Sequence, residues 1–330
     1  MSSSIRTIVV GVAGMDDQDP RTPGGADPVL GPAVKLAAAL GAELHAVHAF
    51  EIPKDLSWVL TAGEASAKGS PGDAAWVYAA ELEERLERQL AAIPGGDAVH
   101  CRAVEGSAAD VVCRTAEEVE AELLVAGASR RGRQWSGILG STASQLMAES
   151  RLPLLIVHRP FEGAVRRVLL TCDVSECASD VLRRGAAAAR ALTRGAAEMR
   201  CLHVVQLDPL FPLPLPAEAA ETLAREALDR CLADAGLEPA TVEACVRIGD
   251  PAREIAYEAS EWHADLLVVG THAKTGLEEH PVGRVAIGAV RGAPCNVLAI
   301  PTCAAVPEAS RPADGWHGGE PVPNLPAAVA

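Results

Sequence analysis

The chain has 330 residues, 49% of them hydrophobic, and a formal net charge of −15 spread evenly over its two halves. That length and apolar content suit about two ordinary cores. The acidic balance, with no large basic face, argues against general nucleic-acid binding, and no apolar run approaches the ~20 residues of a bilayer span.

The N-terminal MSSSIRTIVVGVAG runs directly into a strand pattern without a separate apolar h-region. A signal peptide is therefore not expected, and the protein is expected in the cytoplasm with no membrane partner. The nine cysteines form no CxxC pair and read as small buried hydrophobes in a reducing compartment. Cys172 and Cys177 flank an expected loop and are the one pair that invites a redox test.

In chain order, the compact β-branched run TIVVGVA (7–13) predicts a buried strand. Residues 27–41 have helical spacing and stop at Gly41. A strand follows at 43–50, an amphipathic helix at 73–93 and a third strand at 98–106. Glu81, Glu83, Glu84 and Glu87 with Arg85 and Arg88 make that helix a solvated, ion-paired face rather than a carboxylate site. Residues 107–121 predict a helix, 122–127 a strand, 136–150 a helix and 153–159 a fifth strand. The second half repeats the order, with strands at 166–172, 199–205, 242–248, 265–270 and 296–301. Its helices fall at 177–194, 217–236, 251–263 and 283–291.

Strict β/α alternation with buried-type strands predicts an α/β fold: two repeated, doubly wound, parallel five-stranded sheets with helices on both faces. The expected organisation is one domain over 1–158, a linker at 159–164, a second domain over 165–302 and a disordered tail over 303–330. The connections 51–72 and 207–218 are long and are read as loops or contact surfaces.

The two halves are copies. Gly106, Gly127 and Gly140 recur as Gly249, Gly270 and Gly283 at a constant offset of 143, and LLIV at 154–157 meets VLAI at 297–300. In a doubly wound sheet, ligands sit beyond the C-terminal strand ends. After the fourth strand the first half reads Gly127-Ala-Ser-Arg-Arg-Gly132 and reaches Gly140-Ser141-Thr142 at a helix start. Glycines let the backbone approach a phosphate, a helix N-terminus offers free N–H groups, and Ser141 and Thr142 add hydroxyl donors. Arg130, Arg131 and Arg133 offer charge.

These segments, together with GDPAREI (249–255), ADLLVVGTH (264–272) and CDVSECASDVL (172–182), resemble the universal stress protein family over about residues 5–158 and 165–301. That family carries G-x2-G-x9-G-[ST] after its fourth strand. The resemblance implies an adenine-nucleotide α-hydrolase-like, Rossmann-like fold, with ATP as ligand in some members and fifth strands that join paired domains.

The departures are local. Ala13 stands where ATP-binding members carry Asp at the end of the first strand. Arg130 replaces the middle glycine, with Gly132 two residues late. The second half has Asp173, Gly270 and Gly283, but Ala273 at the middle glycine and Arg284 at the hydroxyl position. The bulk of Arg284 is expected to obstruct the site, so that Arg284→Ser would improve binding there, with pairing of its charge to phosphate as the alternative. Glu278 and Glu279 in the same loop would repel an anion. The bland alternative is that the glycines only shape turns and close helix–strand packing.

Other chemistries find little footing. GVAG (11–14) does not complete G-x-G-x-x-G, and no G-x-S-x-G occurs. The histidines lack metal spacing, and the equivalent His48 and His203 point to a structural role. The resulting expectation is a tandem, non-catalytic stress-response regulator that binds ATP or another adenine nucleotide in at least one half. The halves would form an internal pseudo-dimer through 153–159 and 296–301, with a protein partner unidentified and a homo-oligomer left open. A nucleotide-independent interaction scaffold is the alternative, and a slow ATPase ranks third because no water-activating residue stands out.

Overall fold

The structure, a computed structural model, describes residues 4–13, 27–51, 71–128, 139–161, 164–206, 216–271 and 282–302, without the side chains of 71–75 and 217. The first half runs β1 (Thr7–Val12), α1 (Leu30–Leu40), β2 (Glu43–Phe50), α2 (Pro71–Ala91), β3 (His100–Glu105), α3 (Ala108–Glu118), β4 (Leu123–Gly127), α4 (Ser141–Glu149) and β5 (Leu154–Val157). The second runs β6 (Arg167–Cys172), α5 (Ala178–Thr193), β7 (Glu198–Val205), α6 (Ala217–Asp234), β8 (Val242–Ile248), α7 (Pro251–Glu261), β9 (Leu266–Gly270), α8 (Arg284–Gly292) and β10 (Asn296–Ile300).

The strands form one ten-stranded sheet in the order β3-β2-β1-β4-β5-β10-β9-β6-β7-β8. Every pairing is parallel except β5 with β10, which is antiparallel. The two expected five-stranded sheets therefore merge at their fifth strands. Alternation sets the layers: Ile8, Val10 and Val12 face the core under α1, α2, α5 and α6, while Val9 faces the one under α3, α4, α7 and α8.

The repeat also governs how the strands are anchored. Glu122, just before β4, accepts the N–H of Thr7 at 3.0 Å, and Asp265, just before β9, accepts that of Arg167 at 3.0 Å. A carboxylate at each copy thus caps the backbone entering the first strand of its half.

Several element ends shift for visible reasons. Helix α1 starts at Leu30 rather than at 27, because Asp27 instead accepts the Val29 N–H and holds a turn. Strand β3 starts at His100 because Gly96–Ala98 form a short 3-10 turn. On α2 the pairs Glu81–Arg85 and Glu84–Arg88 form as expected. Glu83 departs from that solvated face: it accepts the backbone N–H of Ala103 at 3.0 Å and covers part of edge strand β3.

At the seam, Asn296 is 2% exposed, and its Oδ1 accepts the N–H groups of His158 (2.9 Å) and Arg159 (3.1 Å) from the other half. Asn296→Ala is expected to leave both donors unpaired and to cost about 2 kcal/mol, measured by chemical denaturation. The tail over 303–330 and most of the connections 51–72 and 207–218 lie outside the described residues, and no described helix is long and apolar enough to cross a membrane.

Candidate functional site

The chain switches direction across the sheet between β1 and β4, and again between β6 and β9. A crevice is expected beyond the C-terminal strand ends at such points. In the second half a cavity of about 660 Å³ opens there, within the range of small-molecule sites. Asp173, Gly270, Gly283 and Arg284 all line it, together with Cys172, Val174 and His203. Four sequence-predicted residues from β6, β9 and α8 are thereby brought to one wall.

The N-terminal end of α8 borders this cavity. Gly283 is the N-cap of α8, extended at φ −62° and ψ 140°, and offers no side-chain cap to the first turn. The N–H groups at the start of the helix therefore carry the positive end of its dipole into the cavity wall. The cap is pinned from below: Gly283 donates its N–H to the Thr271 carbonyl (2.9 Å), and Thr271 donates to Ile300 (3.0 Å). Gly270 has a packing duty as well, since a Cβ there would lie 3.1 Å from Val181 on α5.

At the mouth of β6, Asp173 Oδ1 accepts both the N–H (3.1 Å) and the hydroxyl (2.7 Å) of Ser175. The turn between them forces Val174 to φ 50°, a left-handed conformation rare for a β-branched residue. Such strain persists only where surrounding contacts impose it. The sequence gives no sign of it, because glycine or asparagine would mark that conformation.

His203 Nδ1 donates to the Cys172 carbonyl at 2.8 Å, and His48 Nδ1 donates to the Val12 carbonyl at 2.9 Å in the first half. Both rings tie off the last carbonyl of a central strand, which is the structural role their equivalence suggests. With Nδ1 carrying the proton, Nε2 is an acceptor.

The first half keeps the same frame. Gly140 is an extended N-cap for α4 and donates to the Ala128 carbonyl (2.7 Å), while Ala128 donates to Val157 (3.0 Å). Ser141 and Thr142 occupy the first turn. Among the described residues no side chain approaches closer than 3.9 Å to where a Cβ on Gly127 would sit. Arg130, Arg131, Gly132, Arg133, Ala273, Glu278 and Glu279 lie outside the described residues.

The end of β1 differs in a way the sequence hides. The Ala13 N–H is bonded by Oδ2 of Asp27 at 2.9 Å, and this carboxylate is buried. A residue fourteen positions on thus supplies a carboxylate to the end of β1, where it holds the Ala13 backbone.

A larger cavity of about 940 Å³ lies between the halves, walled by Leu36, Leu40, Phe161 and Leu192. The C-terminal ends of α1 and α5 reach it, and their dipoles disfavour an anion. Among the described residues no group of three or more His, Cys, Asp or Glu is arranged to hold a metal.

Comparison with known proteins bears on this geometry. The model of the universal stress protein family matches residues 5–158 and again 164–301. A universal stress protein of Methanocaldococcus jannaschii is 28% identical over 150 residues, 44% of this chain and 86% of the relative. One from Mycobacterium bovis is 30% identical over 212 residues, 61% of this chain and 70% of the relative. Among solved structures, a Pseudomonas aeruginosa protein superposes with a TM-score of 0.60 at 18% identity, covering 90% of this chain and 94% of that one. A universal stress protein from Archaeoglobus fulgidus gives 0.53 at 14% identity, covering 91% and 97%. At those identities the two structures share the fold.

Proposed function

The chain belongs to the universal stress protein family, as a tandem member with two copies, and on that premise we propose that its second half binds ATP or another adenine nucleotide. The protein would act as a non-catalytic stress-response regulator. The observation that carries this is the 660 Å³ cavity that gathers Asp173, Gly270, Gly283 and Arg284 at the positive end of α8. The phosphates would rest on the first-turn N–H groups of α8, and Asp173 would face the ribose side. Arg284 is in the wall of an open cavity, which favours phosphate pairing over obstruction. In the first half, Gly127, Gly140, Ser141 and Thr142 would serve chiefly the scaffold, with the end of β1 already bonded by Asp27.

The non-catalytic part rests on what the polar groups already do. Asp173 holds the Ser175 turn and His203 holds the Cys172 carbonyl. A bound nucleotide would act by favouring the state that binds it, with a stabilisation that grows with ligand concentration.

The test uses the full chain. Protein purified without added nucleotide is denatured and the released small molecules are analysed, and ATP with magnesium is then titrated calorimetrically. Binding is expected, and Arg284→Ser should weaken it about tenfold, the loss of one charge-assisted contact. No released nucleotide and no heat at millimolar ATP would overturn the reading. Unchanged affinity in Arg284→Ser would instead move the phosphates away from α8.

A second reading, a nucleotide-independent interaction scaffold, is favoured by one observation: the consecutive Trp76 and Val77 on α2 are large apolar side chains left exposed, Trp76 at 71%. It predicts a retained protein contact in a variant that no longer binds ATP.

A further inference from the structure

Three thiols meet at the wall of the second-half cavity. Cys172 is the last residue of β6, Cys201 lies in β7, and Cys231 lies on α6, which packs over both strands. In the β6–β7 register Cys201 stands opposite Leu170, two residues before Cys172, so both point to the same face as diagonal neighbours. Cys172 and Cys201 are buried in one packed cluster, and Cys231 packs against it. Cys201 is fully buried, Cys231 is half-buried, and Cys172, 7% exposed, lines the cavity. Of the pair that invited a redox test, Cys172 is buried beside two other cysteines, and Cys177 is exposed at the N-cap of α5.

We propose that Cys172 is a peroxide-reactive thiol, resolved by one of the two thiols clustered with it, and that it forms an oxidation site inside the ligand cavity. The Cys172 thiolate attacks one peroxide oxygen, the O–O bond breaks, and hydroxide leaves and is protonated to water. The sulfur is oxidised by two electrons to a sulfenic acid as the peroxide is reduced. The neighbouring thiol then attacks that sulfur and water leaves, carrying the thiol proton. A Cys172 disulfide to Cys201 or Cys231 remains.

The surroundings support the choice of nucleophile. Hydrogen bonding from the Cys201 thiol holds Cys172 below the ordinary thiol range against the opposing effect of burial, helped by the Val174 N–H and the Cys231 thiol. Asp173 works the other way. The strained Val174 turn is what presents that N–H. Burial pushes Cys101, Cys113 and Cys231 up to about 11 and Cys295 to about 12, and the interaction with Cys172 raises Cys201, so Cys172 is the thiol of the cluster that meets peroxide first and its neighbours react only once it is a sulfenic acid. The cavity gives a small peroxide its path to Cys172.

The proposal does not depend on nucleotide binding. Full-length protein is treated with graded hydrogen peroxide, denatured, alkylated and digested without reduction, and its peptides are analysed by mass spectrometry. Cys177, an exposed thiol on the same chain, is the internal comparator. Cys172 is expected to lose its free thiol at least about tenfold faster than Cys177, with a linked peptide to Cys201 or Cys231. In the doubly substituted Cys201→Ser, Cys231→Ser chain the product should stop at a sulfenic acid that dimedone traps. Reaction no faster than at Cys177 would overturn the proposal, as would oxidation yielding neither a linked peptide nor a trapped sulfenic acid. The rate ratio needs only the unsubstituted protein, so it stands even if the double variant fails to fold.

Discussion

Glu258→Ala is expected to lower the stability of the fold by about 3 kcal/mol and its midpoint by roughly 6 °C. Glu258, on α7, is 4% exposed, and its two carboxylate oxygens are shared between two arginines. Arg200 donates to Oε1 at 2.6 Å and Arg247 donates to Oε2 at 2.9 Å. Each guanidinium has an outer carboxylate too, Glu243 for Arg200 and Glu254 for Arg247. Each also stacks on an aromatic ring, Arg200 on Trp262 and Arg247 on Tyr257, both at 4.6 Å.

The central carboxylate is the one water cannot replace. Glu243 is largely exposed, so its pair is screened and contributes little. Removing Glu258 leaves two partly buried cations without their shared anion. The stacking and the outer partners soften the loss, which places it at the low end for a broken buried network. Thermal and urea unfolding of Glu258→Ala beside Glu243→Ala checks this. Equal losses in the two variants would mean that the buried carboxylate has no special weight.

Gly288→Leu is expected to destabilise the fold by about 3 kcal/mol and to weaken nucleotide binding about tenfold. Helices α7 and α8 touch through small residues four apart. A Cβ on Gly288 would lie 2.7 Å from the Ala252 Cβ, and one on Gly292 would lie 3.3 Å from the Ala256 Cβ. The first distance is too short for two carbon atoms, so even alanine forces the helices apart, and leucine forces them further.

The same helix carries its N-terminus to the cavity at Gly283 and Arg284. A displaced α8 therefore misplaces the N–H groups proposed to hold phosphate. Unfolding curves and calorimetric titration separate the two effects. A destabilised variant with full affinity would mean that α8 does not hold the phosphates.

The architecture was legible because the chain states it twice. The compact β-branched strands and the constant glycine offset locate the ten strands of the sheet, while the seam was expected only from the family resemblance, in which fifth strands join paired domains. Gly140 and Gly283 were legible as helix starts, since a glycine just before a helix pattern leaves its first turn open. What was not legible depends on contacts across the chain. Asp27 reaches the end of β1 only through the fold, so Ala13 looked like a plain loss. The Val174 conformation is imposed by the Asp173–Ser175 turn against the preference of valine. The three thiols converge through a strand register and a helix placement that spacing along the chain does not encode.

The antiparallel pairing of β5 with β10 also bears on inheritance. Two identical chains meeting across such a seam would be related by a twofold axis, and every substitution would enter both sides at once. Here the seam joins two segments of one polypeptide, so a substitution alters one side alone. The tether keeps the partner strand at an effective concentration on the order of millimolar, so dilution does not separate the pair. The carboxylate supplied by Asp27 on one side and by Asp173 on the other is a difference that two identical subunits could not have come to carry.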